Sequence, residues 1–512
     1  MNNQAKIQGD HSDENDENEN SLTRRRLLSM AAVAGASCLA PAPLFAASAQ
    51  PGATNVTLSE LDLSLVDQEW NVAGMNQSVS QKPLRIAGRT FANGVGTHAQ
   101  SRILVRLDKK TRRFRALVGV DDGAGEKASV IFSVVGDGRQ LWQSAVLKRG
   151  EAPIPLDLDV SKVSWLSLNV DGAGDGVADD HANWVEATFE GVSKRPLILA
   201  RAPVDEPYIL SGRLWLDQNS RHIQAHGGGI MRHGGKWWWH GEDRSDGYIA
   251  IGASAYFSSD LRHWTHAGVA LPRAAYDQKH GDQTLCERPK VVYNPLTKKF
   301  VMWFHYDRSG YGDSRAGVAI SDRPAGPFLT LGQHRPIESS TFRDMNLWVD
   351  DDGLAYVFYS GEENQTMHVV RLNAQWTAPQ MPMIEGQTWN RILIGQAREA
   401  PAPFKYAGKY FLLTSGTSGW SPNRADLSVA DTPLGPYVSL GDPFVGVDAE
   451  LTFRSQSTSV LPMPDAAPGH FIYLGDRWKP ESLADSRYVW LPFLMSDTND
   501  QSPRIEWNPR WK

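Results

Sequence analysis

After Val56 the chain is written in short runs of alternating apolar and polar residues, cut by Gly, Asp, Asn and Pro, which is the period of half-buried β-strands. Up to about Val192 the clearest runs are Ser101 to Leu107, Phe114 to Val120, Ser129 to Val135 and Trp165 to Val170, divided by Asp-Gly turns. They predict a β-sandwich over residues 50–192. Residues 193–205 read as a short ordered linker. Beyond it a longer unit repeats: a polar head, an alternating strand, a turn and an aromatic return strand. Residues 398–416 show it best, with Glu399 as the head, Gly408 in the turn and Tyr410-Phe411-Leu412-Leu413 on the return.

The same unit starts at His226, Glu287, Asp344 and Gln456, so that successive heads lie 61, 57, 55 and 57 residues apart. Repeats of that length, each with several short strands, suggest propeller blades, because one small sheet cannot bury both of its faces alone. The predicted fold is therefore all-β, an N-terminal β-sandwich followed by a five-bladed β-propeller over residues 206–512. If each head begins an innermost strand, the ring gathers His226, Glu287, Asp344, Glu399 and Gln456 around one axis. Ser259-Asp260-Leu261-Arg262-His263-Trp264 and the two Gly-Pro-aromatic turns at 326–328 and 435–437 read as outer-strand scaffold.

The first 49 residues differ. A polar, acidic lead gives way at Thr23-Arg24-Arg25-Arg26-Leu27-Leu28 to an Ala-rich run ending at Ala47-Ser48-Ala49, the three regions of an export signal. The paired arginines and mild hydrophobicity resemble a twin-arginine signal, which implies a periplasmic or secreted protein exported already folded, with cleavage after Ala49. Gly35, Ser37, Pro41 and Pro43 interrupt the apolar run, which falls short of a membrane span. No membrane association is expected after cleavage.

Composition narrows the classes. A net charge of -6 gives no long-range attraction to phosphate backbones, so no nucleic-acid partner is expected. The two cysteines exclude a disulfide framework, since Cys38 lies in the signal, and Cys286 reads as a small buried residue. Eighteen tryptophans in a turn-rich chain predict large sheet cores, with some rings left as stacking faces. Asp121, Asp122, Asp175 and Asp180 can hold a structural calcium through oxygen ligands, but Asp-Gly turns explain such clusters equally well. No metal set, cofactor motif or nucleophile elbow appears elsewhere; Gly227-Gly228-Gly229 reads as close packing at the axis, since no helix follows it. The expected protein acts as a monomer without a cofactor.

Converging carboxylates in an aromatic-lined hollow suit acetal hydrolysis, which needs a protonated acid at the leaving oxygen and a base or nucleophile opposite. Glu399 reads as the acid, kept protonated by the like charge of Asp344. Two resemblances sharpen this. Leu65-Val66-Asp67-Gln68-Glu69-Trp70, Asn93-Gly94-Val95-Gly96-Thr97-His98-Ala99, Val118 to Asp122 and Asp175 to Trp184 resemble the NPCBM carbohydrate-binding module family, a galactose-binding-like sandwich.

Ile223 to Gly229, Glu287-Arg288-Pro289-Lys290-Val291, Arg343-Asp344-Met345, Arg398-Glu399-Ala400-Pro401, Ser455 to Thr458 and Gly475-Asp476-Arg477-Trp478 resemble glycoside hydrolase family 43, in its exo-β-1,3-galactanase subgroup. That resemblance implies a five-bladed inverting enzyme that releases galactose from β-1,3-galactan, the arabinogalactan main chain. It makes Glu399 the general acid, Asp344 its pKa modulator and Glu287 essential at the sugar. It also places Glu242, Tyr311, Asn364, Thr417, His226 and Gln456 at a poly- or oligosaccharide substrate, with Trp238, Trp420 and Trp478 as stacking faces. Most of family 43 has an aspartate where His226 stands, so the base stays open between Glu287 and a water held by Gln456. An arabinofuranosidase or xylosidase, or a non-catalytic glycan-binding protein, remain the alternatives. All catalytic candidates lie beyond residue 205, so the sandwich is expected to be separable for small substrates.

Overall fold

A computed structural model of the chain describes residues 54–174, 176–202, 207–276, 279–495 and 503–512. The expected signal and Asp175 lie outside them. The alternating runs of the first region become antiparallel strands, among them Ser101–Arg106, Arg113–Val120, Ser129–Gly136, Trp165–Gly172 and His181–Val192. They pair into a six-stranded and a seven-stranded sheet. The inward residues of both sheets share one core around Phe114, Phe132 and Trp184, with the Phe132 ring edge-on to Trp184 at 5.1 Å.

The sandwich extends further than its expected boundary. Leu197–Leu199, inside the segment read as a linker, is a strand on Ser101–Arg106, and Ile198 is buried in the sandwich core. Three successive aliphatic residues beside a polar stretch are enough to complete a sheet edge, and the neighbouring Pro196 is tolerated there. The Asp-Gly turns use their carboxylates internally. Asp121 accepts from Asn183 Nδ2 at 2.6 Å and from the backbone of Gly123, Asp180 accepts from Ser129 N, and Asp122 faces Arg85. Among the described residues no cluster of three or more His, Cys, Asp or Glu is arranged to hold a metal.

Beyond residue 207 five sheets follow in sequence, antiparallel except for one edge pair in the fifth, each built outward from an innermost strand. Those innermost strands are His226–His233, Thr284–Asn294, Met345–Val349, Arg398–Tyr406 and Gln456–Pro462. Each lies against the next, and the fifth returns to the first, closing a propeller ring. The fifth sheet carries a fifth strand, Phe444–Val445, parallel to Arg504–Glu506, and Ile209 pairs with Trp511, which ties the C-terminal end to the propeller's beginning.

Strand alternation makes the packing. Phe300, Met302 and Phe304 face blade one, while Val301 and Trp303, one residue out of phase, face blade three. Trp215, Trp239, Trp264, Trp490 and Trp511 fill the gap where blade five meets blade one. Cys286 is enclosed between blades one and two, where burial pushes its thiol well above the usual range.

Residues 51–512 form one compact unit. The sandwich joins the propeller through one of its short motifs, Asp67 to Trp70. Asp67 accepts from Leu214 N and pairs with Arg487 and Arg213, Lys479 Nζ donates to the Gln68 carbonyl, Glu69 pairs with Arg454 at 2.8 Å, and Trp70 Nε1 donates to Glu481 at 2.9 Å. Asp67, Lys479 and Arg487 are buried, so these partners satisfy charges that water cannot reach.

Candidate active site

Four of the five heads converge on a chamber of about 330 Å³ at the propeller axis, lined by Glu287, Asp344, Glu399 and Gln456 together with Glu242, Arg244, Arg288, Tyr311 and Asn364. A local device accompanies three of the five heads. In blades one, two and four the strand register slips directly after the head, between His226 and Gly229, Glu287 and Lys290, and Glu399 and Ala402. The residue after each head, Gly227, Arg288 or Ala400, takes a left-handed backbone with φ of 56°, 49° and 55°. Such a bulge bends the strand and re-aims the side chain before it. Tyr311 and Asn364 reach the chamber from loops and are left-handed as well, at φ 55° and 63°, a conformation that recurs at binding sites.

Two carboxylates there have opposite electrostatics. Burial pushes Glu399 up to about 8, and the negative charge of Asp344 adds to the rise; Arg288 and the Gln456 amide oppose it. Desolvation is thus the leading cause and the Asp344 repulsion the second. Asp344 is itself restrained by Arg288 Nε at 2.8 Å. Glu399 accepts from Gln456 Nε2 at 2.9 Å and Asn364 Nδ2 at 3.2 Å.

Glu287 is buried too, and burial alone would raise it. The hydrogen bond from His305 and the Arg244 guanidinium outweigh that and hold it down at about 2. Its oxygens meet Arg244 Nη2 and the Tyr311 hydroxyl, each at 3.0 Å, and His305 Nδ1 at 3.3 Å. His305 is itself raised to about 9, because Asp307 and Glu287 flank it and overcome the cost of burying its charge. Glu242 shares Arg244, whose Nε donates to it at 2.7 Å, and accepts from Arg288 N at 2.8 Å.

Gln456 links the two halves. Its Oε1 accepts from Arg288 and from Trp478 Nε1, and its Nε2 donates to Glu399 and to Ser415 Oγ. Thr417, Trp420 and Trp478 form the outer wall, the two indoles edge-to-face at 5.0 Å.

Two expected contacts are corrected. His226 is fully enclosed, stacked on Tyr488 at 5.1 Å with Nδ1 3.3 Å from Asp476, and does not line the chamber. Without a side chain at Gly227 the strand turns away at once, and Asp476 with Trp478 takes the space in front of the imidazole. Trp238 packs on Phe257 at 5.4 Å within blade one: it shares a strand face with Glu242 but stands four residues back along the strand, roughly 13 Å away from the chamber.

Arg244, Arg288, His305 and Arg343 line the chamber without having been singled out. Arg244 reaches it from the loop directly after the strand Lys236–Glu242.

The sequence pattern of the NPCBM/NEW2 domain matches residues 54–190, and that of glycosyl hydrolases family 43 matches residues 230–445. A solved family 43 β-1,3-galactosidase, determined with galactodeoxynojirimycin, is 38% identical with a TM-score of 0.55 over 59% of this chain and 99% of its own. The chain belongs to glycoside hydrolase family 43.

Two further family 43 structures align over most of the propeller's share of the chain. The exo-β-1,3-galactanase of Phanerochaete chrysosporium, solved with β-1,3-galactotriose, is 33% identical with a TM-score of 0.53 over 59% of this chain and 68% of its own. The exo-β-1,3-galactanase of Clostridium thermocellum is 33% identical with a TM-score of 0.54 over 60% and 66%. Among curated proteins, α-1,3-galactosidase B of Akkermansia muciniphila is 33% identical over 147 residues, 28% of this chain. The family 43 chain spans only 18% of that relative's length.

Proposed function

We propose that this family 43 protein is an exported, exo-acting, inverting glycoside hydrolase that releases galactose from the end of β-1,3-galactan. The observation that carries the reading is the pairing, in one chamber, of a carboxyl raised to about 8 with a carboxylate held at about 2. The first retains its proton at neutral pH and can protonate a leaving glycosidic oxygen; the second stays ionised at any working pH and faces the charge that develops on the sugar ring. The similarity to β-1,3-galactosidases and exo-β-1,3-galactanases supports the substrate class, and the buried Glu242–Arg244–Glu287 floor supports a closed end suited to a terminal sugar.

In this reading Glu399 is the general acid and Asp344, through charge, keeps it protonated. Glu287 takes the proton of the attacking water. It is a weak base, but an oxocarbenium-like centre is a strong electrophile and needs little basic assistance. Gln456 has both ends of its amide engaged and positions Glu399. The oligosaccharide is the partner that matters, and the protein works as a monomer without a cofactor.

Products from linear β-1,3-galactan, β-1,4-xylan and arabinan, followed by proton NMR, test the proposal. Galactose released first as the α-anomer from galactan is the expected result. The β-anomer first would mean a retaining double displacement, and pentose release would favour the arabinosidase or xylosidase reading.

A further inference from the structure

Next to the chamber lies a second and larger hollow of about 550 Å³. Its two sides come from different halves of the protein: Trp70, His98 and His181 from the sandwich, and Asn423, Arg454 and Glu481 from the propeller or its loops. Gly419, Trp420, Gln456 and Trp478 line both hollows, so the two adjoin across one rim.

The sandwich side is built as a platform. The Trp70 indole lies parallel to the His181 imidazole, 2° apart in plane with centroids at 5.4 Å, and His98 leans on both. Its position is set from the propeller, because Trp70 Nε1 donates to Glu481 and the preceding residues Asp67, Gln68 and Glu69 are all bonded across the same junction. A module tethered by a linker alone would not hold an aromatic face in register with a catalytic rim; this one is fixed by buried ion pairs.

Resting on the function proposed above, we infer that this hollow holds the leaving-group side of the substrate, so that the sandwich is part of the active site. The terminal sugar occupies the chamber over Glu287 and Arg244. Glu399 must reach the oxygen that joins it to the next sugar, and Glu399 is bonded to Gln456, which stands on the rim between the hollows. The chain therefore leaves past Trp420 and Trp478 towards Trp70. The second hollow is larger than the one that takes the terminal sugar, so it has room for at least one more β-linked galactose. The apolar face of such a residue stacks on an indole, while Asn423, Arg454 and Glu481 offer hydroxyl partners. The specificity determinant for chain length is thus Trp70, more than 300 residues from the acid in sequence.

The experiment compares kcat/KM on an aryl β-galactoside and on β-1,3-galactobiose, -triose and -tetraose for wild type, Trp70→Ala and Ala178→Tyr. Ala178 is an exposed loop residue on the sandwich side of the hollow, so a tyrosine there fills the space without disturbing a core. Wild-type kcat/KM should rise with chain length. In both variants the ratio of tetraose to aryl galactoside should fall on the order of tenfold, mainly through KM, with unchanged melting temperature for Ala178→Tyr.

A wild type with no dependence on chain length, or a folded Ala178→Tyr with the wild-type ratio, overturns the inference. A wild type that ignores every β-1,3-galactoside but cleaves another glycoside defeats the substrate proposal instead. The same ratio, read on short and long forms of that glycoside, then decides about the hollow.

Discussion

In the proposed mechanism Glu399 and Glu287 take opposite ends of one reaction because their surroundings push the same carboxyl group in opposite directions. Glu399→Gln should keep sugar binding but lose on the order of 10²- to 10⁴-fold in rate on galactobiose, and much less on an activated aryl galactoside whose leaving group needs no proton. The acid is present below its folded pKa, so wild-type kcat/KM should fall as pH rises through about 8, and Glu399→Gln should lack that limb. The sign also reaches stability: a carboxyl raised from 4.5 to about 8 binds its proton more tightly when folded, so rising pH over that interval costs the wild type stability. Melting curves at pH 5 and pH 8.5 should therefore show Glu399→Gln gaining on wild type at the higher pH.

Glu287 runs the other way. Its depressed pKa contributes stability above about 4.5 that is lost as pH falls towards 2. Glu287→Gln leaves Arg244 and His305 short of a buried counter-charge, so a loss of roughly 3–5 kcal/mol in denaturant unfolding is expected, with both substrates impaired alike. If Gln456 held the water instead, Gln456→Ala would be the variant crippled on both substrates and rescued by azide.

The bulged first strand is the element that turns a repeat into a site. Alternation alone would send heads of successive blades to whichever face their register dictated, whereas a slip after the head brings Glu287 and Glu399 into the chamber in blades two and four; the same slip in blade one leaves His226 enclosed. At Gly227 this geometry leaves no room, since a Cβ there would lie 2.5 Å from Glu242 Oε1, on a backbone with φ +56°. Gly227→Ala should displace Glu242 and with it Arg244, costing on the order of 10²-fold in kcat/KM. Retained circular dichroism would separate this from unfolding. The glycine triplet was legible as close packing, but the carboxylate it makes way for was not, because Glu242 comes from the return strand and its distance from Gly227 depends on the pairing register. His226 fails as a contact for the same reason: head position on a strand does not reveal whether the bulge leaves the side chain in front of or behind its neighbours.

Across the whole molecule, the expected division into a separable sandwich and a self-sufficient propeller meets a junction of buried charge. Asp67 shares Arg487 with Asp485, and Lys479 spans Gln68 and Asp485. Calorimetry should therefore record one cooperative transition, and removal of residues 54–199 should lower the propeller's melting temperature, because Arg487 loses Asp67, Lys479 loses the Gln68 carbonyl, and both are left to share Asp485. The proposed export rests on the first 49 residues and is tested there: Arg24→Lys with Arg25→Lys should leave the precursor inside the cell, and unchanged export would point to the general secretory route.

Strand alternation, turn residues and a repeat spacing of 55 to 61 determined, without tertiary information, that this chain is all-β, that five similar sheets follow a sandwich, and that polar heads gather at one axis, although five were expected there and four line the chamber. Those properties are local or periodic, and each is carried by many residues at once. What only the folded molecule decided is relational. Burial, more than Asp344, raises Glu399; Arg244, from the loop after Lys236–Glu242, and His305, from the strand Lys299–Arg308, hold Glu287 ionised; and Trp70 arrives beside the rim of the chamber. Desolvation, charge pairing and the docking of one domain on another depend on distances between residues far apart in the chain, and no local pattern records them.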